Sequence, residues 1–99
     1  MLDKAKKLWD LQKKARAVQK ELKETEVEAK AQNGAITVVF NGEQHILSVE
    51  IAEIMLDPQK KRDLEKGLEQ AIAEAISRVQ AIAAEKMKSI AGDLNIPGL

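Results

Sequence analysis

Two Asn-Gly dipeptides, Asn33-Gly34 and Asn41-Gly42, bracket the run Ala35-Ile36-Thr37-Val38-Val39-Phe40, and long helical patterns flank this segment on both sides. A two-residue type I′ hairpin turn needs positive φ at both central residues, which asparagine and glycine tolerate best, so each dipeptide predicts a reversal between antiparallel strands. The expectation is an α+β chain of order α-β-β-β-α, with a three-stranded antiparallel meander between two long helices.

The strands follow from alternation. Residues 26–32 place Val27, Ala29 and Ala31 on one face and charges on the other. Residues 35–40 are apolar on both faces, as a central strand requires, and residues 44–51 place His45, Leu47, Val49 and Ile51 on one side.

The first helix is expected over 3–24 with Asp3 as its N-cap. Leu8, Leu11, Ala15, Val18 and Leu22 recur at alternating steps of three and four, a narrow seam suited to a helix partner. In that heptad frame Lys6, Lys13 and Lys20 share position f, Arg16 and Lys23 share b, and Lys7 and Lys14 share g. The cations form an outward stripe. The second helix is expected over 58–91, capped by Asp57 with Pro58 at its first position, and stopped by Gly92. Leu64, Leu68, Ala71, Ile72, Ala75, Ile76, Val79, Ile82, Ala83, Met87 and Ile90 give it one broad apolar stripe. Residues 92–99 read as a tail, and 1–99 as a single domain.

Length adds a constraint. A helix over 58–91 runs about 50 Å, whereas strands of about six residues run about 20 Å, so the apolar stripe outruns the sheet. An apolar surface that the chain cannot cover marks an interface, and the expectation is a two-fold homodimer. Its interface candidates are Leu8, Trp9, Leu11, Val18, Leu22, Ile76, Val79 and Ile82.

Composition excludes several classes. With 32% charged and 44% hydrophobic residues, the chain reads as folded, and no stretch approaches the roughly 18 apolar residues of a membrane span. The start, Met1-Leu2-Asp3-Lys4, lacks a secretory apolar region, so cytoplasmic residence without a membrane partner is expected. There is no cysteine and only one histidine, His45, so neither a disulfide nor a metal site is expected. His45 and Ser48 stand three apart on a strand and point to opposite faces, and no phosphate-cradling glycine loop occurs. No catalytic residue, cofactor or small-molecule substrate is assigned.

Formal charge is zero, but unevenly spread. Residues 1–25 carry eight Lys/Arg against four Asp/Glu, and residues 26–57 carry one against six. Periodicity leaves two readings of the basic first helix: a solvated face, or a surface for a polyanion.

Several patches, in their order, resemble the YbaB/EbfC family of small bacterial nucleoid-associated proteins. They are Leu11-Gln12-Lys13-Lys14-Ala15, the Asn41-Gly42 hairpin leading to Val49-Glu50-Ile51, the Leu56-Asp57 helix entry, Glu85-Lys86-Met87, and the closing Leu94-Asn95-Ile96-Pro97-Gly98-Leu99. The resemblance implies a homodimer in the bacterial cytoplasm, associated with the nucleoid, that binds double-stranded DNA with low sequence selectivity. It favours the polyanion reading, with Lys6, Lys7, Lys13, Lys14, Arg16, Lys20 and Lys23 as DNA contacts and Lys60, Lys61 and Arg62 as a secondary cluster. The rival is a protein-interaction scaffold, for example for a DNA-repair or recombination factor, that makes no DNA contact.

Overall fold

In the computed structural model, which describes residues 2–93, helix α1 (Leu2–Glu24) leads into strands β1 (Glu26–Ala31), β2 (Ile36–Asn41) and β3 (Ile46–Ile51), and helix α2 (Lys61–Asp93) closes the chain. The strands form one antiparallel sheet in the order β1-β2-β3, the expected meander. Asp57 Oδ1 accepts a hydrogen bond from the Gln59 amide at 2.9 Å, and Pro58 begins a single 3₁₀ turn that feeds α2. Gly92 does not stop the helix, which continues to Asp93. Residues 94–99 of the expected tail lie outside the described residues.

The two Asn-Gly sites fold differently from one another. At the first, Gln32, Asn33 and Gly34 all take positive φ (53°, 58° and 88°), in a four-residue loop between the paired Ala31 and Ile36. At the second, neither Asn41 nor Gly42 has positive φ, so the expected type I′ turn is absent. Asn41 is nearly buried, and its Oδ1 accepts hydrogen bonds from the Glu43 and His45 amides at 2.9 and 3.0 Å. It organises the loop from within, as Asx side chains do.

Gly42 serves a contact instead of a turn. Its amide donates to the carbonyls of Leu22 (2.7 Å) and Thr25 (3.0 Å), satisfying the C-terminal end of α1. A Cβ there would lie 2.5 Å from the Leu22 oxygen. Gly42→Ala is therefore expected to destabilise the fold by about 2–3 kcal/mol, since the obstacle is backbone and cannot rotate away. Thermal denaturation should show a midpoint lower by about 10 °C or more. Unchanged stability would mean that α1 is not seated on this loop.

The core lies between the sheet and α2. Val27, Ala29, Ile36, Val38 and Phe40 face Ala71, Ala75 and Val79, all essentially inaccessible, and Met55 closes one end. The line Gly67, Ala71, Ala75, Val79 follows the four-residue row of a helix and is made of small or β-branched residues, so α2 lies close to the strands. Val79 belongs wholly to this core. Its 0% exposure removes it from the expected interface between copies.

Helix α2 covers β1 and β2 but not β3. It then continues past the sheet, and α1 packs along the projecting part, with Lys86 Nζ 2.9 Å from Glu21 Oε2. The molecule is accordingly long, 68 × 24 × 14 Å, with a radius of gyration of 19.0 Å against about 13 Å for a compact chain of this length.

Candidate functional site

At about 100° per residue, Leu11, Val18 and Leu22 fall within about 20° of one line along α1. These three are half-buried, and they form its packing face. Lys6, Trp9, Lys13, Arg16 and Lys20 fall within about 40° of the opposite line, and all five are exposed. Lys23 lies about 60° from it. Lys7 and Lys14 are exposed too but sit beside the packing line. The candidates thus divide: one file of cations looks outward, and two lysines flank the helix contact.

Three of the four carboxylates of α1 are set apart from its cations. Asp3, Asp10 and Glu21 share one flank, about 90° from the packing line, and Glu21 is taken up by Lys86. The outward face carries none from Lys6 to Lys20 and one, the exposed Glu24, at its C-terminal end. These lysines are about 10 Å apart at successive heptads, giving a straight row of positive charge about 20 Å long.

Lys60, Lys61 and Arg62 are not part of this row. The first turns of α2 lie at the Gln32–Ile36 end of the sheet, where a Cβ on Gly67 would meet Ile36 and Gln32, whereas α1 is held at the Gly42 end. The two basic clusters stand at opposite ends of the sheet.

Trp9, an interface candidate from the sequence, is carried on the face of α1 opposite Leu11, Val18 and Leu22. It is 61% exposed on the outward face, with Lys13 Nζ 5.3 Å from its ring centroid, and it lines a shallow concavity with Gln12, Lys13 and Arg16. His45 lies just before β3, exposed, and its amide is held by Asn41. Among the described residues no three His, Asp or Glu side chains gather as a cation site, and no helix is long and apolar enough to cross a membrane.

A second surface, missed in the sequence, lies on β3. Val49 pairs with Val38 and Ile51 with Ile36, so they share the face that β1 and β2 bury under α2. Yet Val49 is 46% exposed, and Leu47, the extra residue of a bulge opposite Phe40, is 48% exposed. Arg78 marks the other flank of α2, where its Nη1 donates to the Glu28 carbonyl on the free edge of β1 at 2.6 Å. Ile72 and Ile76, half-buried, lie on the flank turned away from Arg78 and toward β3. Floor and wall form an apolar trough, extended by the exposed Ile46, which pairs with Phe40 on the same face. The signal in the sequence was the unbroken apolar character of Ile46-Leu47; what it could not give was where α2 would lie.

Comparison with known proteins gives a consistent answer. The model of the YbaB/EbfC DNA-binding family matches residues 1–94. The chain is 40% identical over 89 residues to a protein of Syntrophobacter fumaroxidans named nucleoid-associated protein, covering 90% of this chain and 81% of that one. It is 35% identical to proteins of the same name from Alkaliphilus metalliredigens and Pelotomaculum thermopropionicum, covering 95% of this chain and 82% and 90% of theirs. Among solved structures, an uncharacterized protein from Helicobacter pylori superposes with a TM-score of 0.75 at 21% identity, covering 93% of this chain and 92% of that one, a likeness of fold.

Proposed function

The chain belongs to the YbaB/EbfC DNA-binding family, and from that premise we propose that it is a cytoplasmic nucleoid-associated protein that binds duplex DNA as a homodimer, with low sequence selectivity. The observation that carries this reading is the sorting of charge on α1: from Lys6 to Lys20 the outward face carries four cations and no carboxylate, while Asp3, Asp10 and Glu21 lie on a flank. A solvated helix needs no such segregation, whereas a rod of phosphates does.

Low selectivity follows from the side chains. Flexible lysines answer phosphate as point charges, and an ordered set of side chains held in a groove is what reading bases would require. Lys60, Lys61 and Arg62, remote from α1, serve in this reading as a secondary phosphate contact.

The trough supports pairing of two copies. It continues the core layer, so a second copy seated there would bury Leu47, Val49, Ile72 and Ile76 as the chain's own helix buries Val38. Arg78 occupies the β1 edge, leaving β3 as the side that accepts a partner. Two copies would hold two cationic rows in fixed relation.

Salt tests the mechanism directly. With about six phosphate contacts per dimer, log K for a duplex should fall against log salt with a slope near −5. A slope near zero would exclude phosphate neutralisation as the basis of binding.

A further inference from the structure

Trp9 has no packing duty inside the chain. It stands in the middle of the outward row, with the Lys13 ammonium over its ring and Gln12 and Arg16 beside it. A surface that only neutralises phosphates has no use for an indole, whose broad apolar face is unfavourable in water. What a flat π surface matches is another flat π surface, and an intact duplex keeps those inside its stack.

We propose that Trp9, Lys13 and Arg16 form a stacking site for a single nucleobase displaced from a duplex, so that the protein favours DNA carrying an unpaired, extrahelical base over fully paired DNA. This rests on the reading of α1 as the DNA-binding surface. The base would displace the Lys13 ammonium from the indole and stack in its place, leaving Lys13 and Arg16, one and two helical turns along the same face, to hold the phosphates that flank it. The occupant is one base and not a single strand, because the chain has only two aromatic residues and the other, Phe40, is buried in the core. The positive surround, free of carboxylates on this face between Lys6 and Lys20, selects a polyanion over an apolar protein segment.

Two duplexes that differ only by one extrahelical adenine, each titrated with the full-length protein, provide the test. The chain's single tryptophan makes its fluorescence a direct report on the site. The expected result is about tenfold tighter binding of the bulged duplex, with quenching of the indole. Trp9→Ala should bring the affinity ratio to about one, and Trp9→Phe should restore most of it. Equal affinity of the wild-type protein for both duplexes would overturn the inference while leaving the DNA-binding reading standing, as would a preference that survives Trp9→Ala. Emission that follows protein dilution and ignores DNA would overturn it too, assigning Trp9 to a contact between copies. Failure to bind either duplex would overturn both readings together.

Discussion

Replacing Lys6, Lys13 and Lys20 with glutamate is expected to weaken duplex binding by about a thousandfold or more at 0.1 M salt. Each phosphate contact contributes about 0.9 to the slope of log K against log salt, so losing one costs about eightfold at 0.1 M relative to 1 M. Three lysines on each of two copies would total about 10⁵, and the lower figure allows for lysines that do not reach a phosphate. The salt slope should flatten at the same time. Because all three side chains are exposed and opposite the face that α1 packs on α2, circular dichroism and sedimentation should be unchanged. A folded triple variant that retains DNA in a mobility-shift assay would sink the phosphate mechanism and favour a scaffold that touches DNA only through a partner.

The second large effect is expected at the trough. Leu47→Asp combined with Val49→Asp should convert a particle of twice 10.9 kDa into one of 10.9 kDa in sedimentation at micromolar concentration. In a single copy both positions are about half exposed, so each carboxylate stays in water and the protomer stays folded. Between two copies the same carboxylates would lose hydration without a partner, at several kcal/mol in total. Duplex binding should persist with a slope near −2.5, half the cations acting as one unit. A double variant that keeps its mass would place the contact between copies elsewhere.

The meander was legible because its evidence is local: alternation at Val27, Ala29 and Ala31, β-branching through β2, and the Asp57-Pro58 start that produces the observed cap. Asn41-Gly42 gave the right strand order for the wrong reason. The identity of Gly42 is dictated by the Leu22 carbonyl, twenty residues away in sequence, and no short-range rule encodes that. Gly67 went unnoticed for the same reason, since its lack of a side chain answers to Ile36 on the sheet. Gly92 misled because a glycine ends a helix only where the backbone turns left-handed, and here it stays helical.

The basic stripe was visible as a seven-residue repeat, but which side of α1 faced outward depended on α2. That is why Trp9, one position from Leu8, read as a neighbour of the seam and proved to point away from it. Lys60, Lys61 and Arg62 read as a secondary cluster, but a sequence does not reveal that α2 begins at the far end of the sheet and so how far that cluster stands from α1.

The grip of the Leu22 carbonyl on Gly42 sets how load travels through the molecule. Helix α1 is a lever braced along α2 and jointed at Gly42, and the peptide units soon after that joint become β3. A stiff polymer tugging on the lever would load the few peptide planes that enter the strand on which a second copy is proposed to sit, so binding cargo and holding a mate would share one mechanical hinge.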